Sequence, residues 1–306
     1  QDHDLFAEFQ YIKEQGPYSS SLLKFVEASY DYFDIFIFIT YLFATTRFGL
    51  TLVPGKAILV PTAHDEPFMY LPIFRSLFHL PQAIVYSTLP EKLLVNRITD
   101  NEKQIEEAII GIGINVPEDV SASRFREKFK IEGDFVLYVG RIVQAKNVPE
   151  LLDYFLRFRE TYGKPIKLLL GGKSHLNLPV HPDIVHLGFL TEEEKFDAIH
   201  AARLVILPSL YESLSMIVLE AWLMKTAVLV NGRCEVLKYQ CRKSNGGLYY
   251  TSHQEFEAAL TLLLNSPDLC QQLGEQGHQF ASYHYNWDTI ITKYQTLFAK
   301  ILSDEN

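Results

Sequence analysis

Cysteine is scarce in this chain: Cys234, Cys241 and Cys270 are the only three in 306 residues. Their odd number and wide spacing suit neither a disulfide framework nor a zinc site, so they read as reduced thiols, as in the cytosol. Positive charge is also short, with 28 Lys and Arg against 37 Asp and Glu and a net charge of −9. Nucleic-acid and anionic-membrane surfaces require a cationic stripe, so no nucleic-acid partner and at most peripheral membrane contact is expected. Any bound phosphate must then be held by a few local groups. Long apolar runs are missing too: Phe33 to Ala44 is interrupted by Asp34 and Thr40, short of the ~20 residues of a membrane helix. The opening Gln-Asp-His-Asp has no basic segment, apolar core or methionine, and reads as a fragment or processed product without a secretion signal. No His/Cys cluster stands at ligand spacing, so neither a metal nor another cofactor is expected.

What is present is 48% hydrophobic content in an alternating order, enough for two cores. Apolar runs at Asp34 to Thr40, Ala57 to Pro61 and Ala83 to Tyr86 read as strands, separated by helical patterns at Pro67 to Leu80 and Pro90 to Ile98. Alternation of this kind specifies a mostly parallel sheet. Only three strands are legible before residue 118, a short N-terminal unit, and Gly111 to Gly133 reads as the linker. A second alternation then forms a full doubly wound domain. Its strands are expected at 135–139, 166–170, 184–187, 204–207 and 227–230, with helices between them and helical sequence from Gln254 to Ile301.

Two constellations follow strands in this second half, where open α/β sheets bind ligands. Gly140-Arg141, with Lys146 nearby, places two cations on an acidic protein and suits a diphosphate; a surface salt bridge is the alternative. Glu212 and Glu220 are expected in the loop and about two turns inside the next helix, spanning a sugar nucleotide. Backbone N–H groups near Leu214, Ser215 and Met216 would face its phosphates. Helix capping and an exposed ion pair are the alternatives for the two glutamates. His64 follows the strand at 57–60, Asp65 and Glu66 beside it are possible acceptor contacts, and Gly172 follows another strand and could touch phosphate.

Together these residues resemble glycosyltransferase family 4, the retaining enzymes of the GT-B fold. The match lies in Glu212-x7-Glu220, in Gly140-Arg141 with Lys146, and in Gly188-Phe189 before a helix, over about residues 134 to 302. Ser213 and Ser215 stand where many members have glycine, and Asn147 follows Lys146 where glycine is common. The resemblance implies an α/β fold of two Rossmann-like doubly wound domains with a donor cleft between them. Residues 1–117 would form the acceptor side, 118–286 the donor domain and 287–306 a helix crossing back. It further implies Glu212 on the donor sugar, Glu220 on the ribose, Arg141 and Lys146 on the diphosphate, the backbone of Phe189 and Leu190 at the base, and His64 facing the sugar. The expected reaction is retaining, metal-independent hexosyl transfer from a UDP-sugar such as UDP-glucose to a glycan or lipid-linked acceptor in polysaccharide synthesis. It would proceed in the cytoplasm, at the inner face of the membrane for a lipid-linked acceptor. A non-catalytic nucleotide-sugar-binding protein and a nucleotide-sugar epimerase on the same fold are the competing readings.

Overall fold

In the computed structural model, which describes residues 4–101 and 105–303, strands alternate with helices and every named strand pair is parallel. The chain divides into two units, one running to Ile112 and resuming at Asp288, the other Gly113–Trp287.

The first unit carries β1 (Phe36–Ile39), β2 (Ala57–Val60), β3 (Ala83–Tyr86) and β4 (Glu106–Ile109) in the order β1-β2-β3-β4. The sequence reading found only three strands here. β4 escaped it because charge replaces apolar content: Glu107 pairs with Lys92 at 2.9 Å and Glu106 with Lys300 at 2.7 Å. The stretch from Pro67 to Leu80, read as one helix, is two 3₁₀ turns around a four-residue helix. Pro67 and Pro72 open two of these pieces, and a proline ring admits no preceding helical turn. Successive strand residues face opposite ways, so Leu59, Ile84 and Tyr86 pack into one layer with Tyr41, Phe74 and Phe78. Ile58, Ala83 and Val85 face the other layer, covered by Ile290, Leu297 and Ile301 of the helix Trp287–Ser303.

The second unit carries β5 (Phe135–Val139), β6 (Lys167–Gly171), β7 (Ile184–Gly188), β8 (Leu204–Leu207), β9 (Val228–Asn231) and β10 (Gly247–Tyr250). Their order is β10-β9-β8-β5-β6-β7. β10 and the helix Glu235–Ser244 before it went unread in the sequence. The same alternation fills two layers, with Phe135, Leu137, Val205 and Val228 in one and Val136, Tyr138, Ile206 and Leu229 in the other. The supposed linker contains a helix, Ala122–Phe129, whose Phe125 is fully buried. Arg124 ties that helix to the buried Asp197 at 2.6 Å. The chain enters and leaves this unit side by side: Ile114 N–H donates to the Tyr285 carbonyl at 3.1 Å, and Trp287 Nε1 to Asn115 Oδ1 at 2.7 Å.

Trp222, fully buried in the helix Met216–Leu223, donates Nε1–H to the Gly246 carbonyl at 2.8 Å. Its ring lies against the helix Pro267–His284, where a Cβ on Gly277 would stand 2.2 Å from Trp222 Cδ1. Glycine to alanine inside an exposed helix stabilises by about 1 kcal/mol; here the indole must move. Gly277→Ala is expected to destabilise the protein by ~1–3 kcal/mol, read as a lower midpoint in urea unfolding.

Candidate functional site

The strand order reverses between β5 and β8, since the sheet grows outward from β5 through β6 to β7 and from β8 through β9 to β10. Loops leaving the carboxyl ends of two such strands diverge and open a crevice. The Gly140-Arg141 and Lys146 segment leaves β5, and the segment from Pro208 to Glu212 leaves β8. The structure brings these together: Lys146 Nζ lies 2.7 Å from Glu212 Oε1, with both side chains largely shielded. Arg141 is exposed, and no carboxylate among the described residues forms an ion pair with it. The Tyr138 hydroxyl donates to the Arg141 carbonyl at 2.8 Å. Burial and the nearby Glu212 carboxylate hold that phenol in its protonated form.

Glu212 precedes the helix Met216–Leu223 and Glu220 is the fifth residue within it. This is little more than one turn, not the two turns expected, because the chain from Pro208 to Ser215 stays non-helical. Glu220 is 4% exposed. Its Oε1 meets Lys195 Nζ at 2.8 Å, while the buried Oε2 has no hydrogen-bond partner among the described residues. Burial raises the Glu220 carboxyl above its ordinary value, and Lys195 works against that shift. The sequence reading missed Lys195. It comes from the helix Glu192–Ala201, which begins after Phe189 and Leu190 and is capped by a Thr191–Glu194 box. At the start of the Glu220 helix Ser215 makes no side-chain cap. Its N–H points to Gln240 Oε1 at 3.4 Å, while Leu214 is half-buried and Met216 exposed.

Gly172 serves close backbone approach. Its φ is +140°, and a Cβ there would fall 1.9 Å from the Gly140 carbonyl oxygen. Its N–H donates to the Gly188 carbonyl at 2.7 Å. Beyond β7, Phe189 stands out at 82% exposure, and Leu190 is buried beneath Gly171.

In the first unit, His64 follows β2, and its Nδ1 lies 3.5 Å from Glu66 Oε1, which also accepts the Tyr41 hydroxyl at 2.8 Å. Burial pulls the Glu66 carboxyl upward, but the hydrogen bonds from His64 and Tyr41 outweigh it and leave the group below its ordinary value. Asp65 accepts the Tyr70 hydroxyl at 2.6 Å and pairs with Arg97 at 3.4 Å. A second residue the sequence did not reveal is Glu91, 1% exposed. Its oxygens accept Ala63 N–H at 2.7 Å and Ser87 N–H at 2.6 Å, tying the His64 loop to the loop after β3. Burial pushes its carboxyl up from 4.5 to about 7, against the pull of those two backbone bonds and of His64. A raised folded value means that the native state holds its proton where the unfolded chain has released it. The stabilising contribution is complete below pH ~4.5 and disappears as pH rises through about 7. Wild type should therefore lose on the order of 3 kcal/mol across that window relative to its own value at low pH. Glu91→Gln should lack that component of the slope, as measured by urea unfolding at a series of pH values.

Comparison with known proteins identifies the family and the fold. Residues 119–280 match the family described as glycosyl transferases group 1, more than half of the chain. An uncharacterized glycosyltransferase of Methanocaldococcus jannaschii is 25% identical over 203 residues, covering 60% of this chain and 51% of that protein. The chain thus spans about half the length of this curated relative. Among solved structures, sucrose-phosphate synthase from Thermosynechococcus elongatus superposes with a TM-score of 0.75 at 16% identity, covering 94% of this chain and 82% of that one. HepE of Anabaena, solved in complex with UDP-glucose, superposes with a TM-score of 0.73 at 14% identity, covering 92% and 82%. The two parallel sheets have the GT-B fold, and the chain belongs to the glycosyl transferases group 1 family.

Proposed function

We propose that the chain is a retaining hexosyltransferase of family 4 that uses a UDP-sugar, UDP-glucose as the working case, and a glycan or lipid-linked acceptor in polysaccharide synthesis. One observation carries the reading. At the crevice edge stand two carboxylates eight residues apart, each held by a lysine, and the deeper one keeps a buried oxygen without a partner. A buried acceptor atom left unpaired costs about 1–3 kcal/mol, and a ribose hydroxyl donating to the Glu220 carboxylate, turned so that Oε2 is reachable, would recover it. The solved relative with UDP-glucose bound supports the choice of donor.

In this reading Glu212 meets the sugar hydroxyls, the backbone of Phe189 and Leu190 meets the base, and Arg141 and Lys146 face the diphosphate. The bond from the anomeric carbon to the diphosphate oxygen breaks as the acceptor oxygen bonds on the same face of the sugar. The acceptor hydroxyl's proton passes to the departing diphosphate. Arg141, Lys146 and the N–H groups of Leu214 and Met216 stabilise the charge that grows on the leaving group, a preorganised contribution requiring no resident metal; the Ser215 N–H is turned to Gln240. His64 contacts the sugar or the leaving group. The first-unit loop bearing Asp65 and Glu66 serves the acceptor.

Calorimetric titration with UDP, GDP and ADP tests the donor site without an acceptor. UDP is expected to bind selectively in the micromolar range, and absence of binding by all three would overturn the reading. Glu220→Ala should weaken UDP roughly 10- to 100-fold. Glu212→Ala should leave UDP affinity unchanged and lose only what the sugar adds. Equal UDP affinity in wild type and Glu220→Ala would remove the ribose role. His64→Ala should slow UDP release from UDP-glucose with little change in UDP affinity, and an unchanged rate would make His64 structural.

A further inference from the structure

The Pro208 carbonyl, four residues ahead of Glu212, accepts two side-chain amides. Asn147 Nδ2 reaches it at 3.1 Å and Asn231 Nδ2 at 3.0 Å. Each amide sends its other proton to Glu150 Oε1, at 2.9 Å from Asn147 and 3.3 Å from Asn231. Arg233 donates to that same oxygen, and its N and Nε donate to Asn231 Oδ1 at 3.0 and 3.2 Å. An –NH₂ group has two protons to give, so both amide nitrogens are saturated as donors, and Asn231 is wholly buried.

The network joins the ends of β8 and β9 to the helix start that follows β5. Asn147 directly follows Lys146, Pro208 directly follows β8, and Asn231 ends β9. Asn147 has φ +57°, a left-handed conformation open to glycine or asparagine. Only asparagine adds an amide there. We infer that Asn147 and Asn231 are positioning residues that set Glu212 against Lys146, so that sugar recognition depends on a polar clamp neither of them makes with the donor. The inference rests on the donor reading of Glu212. Glu150 and Arg233 stand behind the clamp and fix which way the amides point.

Asn147→Gly is the informative variant, because glycine keeps the left-handed backbone and removes the amide; Asn231→Ala removes the buried partner. Titrating UDP and UDP-glucose into the full chain gives the ratio of their Kd values, which a general loss of folding would not change selectively. That ratio is expected to fall roughly tenfold in both variants while UDP itself changes less than about threefold. An unchanged ratio in Asn147→Gly, or equal weakening of both ligands, would overturn the positioning role. If wild type binds neither ligand, the donor reading fails instead. The crystal structure of Asn147→Gly then decides the positioning role alone: Lys146 and Glu212 still 2.7 Å apart refutes it, and their separation supports it.

Discussion

The rest of the site depends on the reversal of strand order between β5 and β8. Neighbouring parallel strands that send their chains to opposite sides separate the loops at their carboxyl ends. Here the protein sets its charges in opposed pairs. Lys146 meets Glu212, and Lys195 meets the more deeply buried Glu220. For the proposed function, in which an acidic chain receives a diphosphate, the net negative charge poses a repulsion problem. Pairing each glutamate with a lysine neutralises the carboxylates locally, while Arg141 keeps its charge exposed.

Much of this was legible in the sequence, for a physical reason. β5, β8 and β9 are covered on both faces, so they appear as continuous apolar runs. The residues just after them are then found at the crevice by topology alone. β4 was hidden because Glu106 and Glu107 are neutralised by Lys300 and Lys92, partners remote in sequence. The helix holding Phe125 was hidden because charged residues surround a single core anchor. Glu220 was legible as a carboxylate on a helix, but Lys195 stands 25 residues before it. Nothing local indicates that its ammonium turns toward that carboxylate rather than only toward Glu192. Glu91 was unreadable for the same reason, since its partners are backbone N–H groups that every residue but proline carries.

The two halves of the chain treat buried carboxylates differently. Glu91 is satisfied by two main-chain donors and has no cation in contact among the described residues, so burial dominates and its carboxyl is pushed up to about 7. Glu220 has a lysine in contact and an idle oxygen, so its charge is partly compensated and one bonding position is open. The first arrangement belongs to a latch between loops. The second leaves a buried acceptor that no group among the described residues satisfies.

The adjacent entry and exit of the second unit, closed by the Ile114–Tyr285 and Asn115–Trp287 hydrogen bonds, give it the topology of a self-contained cassette. Chain ends that meet make a unit easy to transplant whole, because its replacement need only bridge one short gap. The second unit can therefore be excised or exchanged at one junction while its strand ends, together with Glu212 and Glu220, stay within a single folded piece.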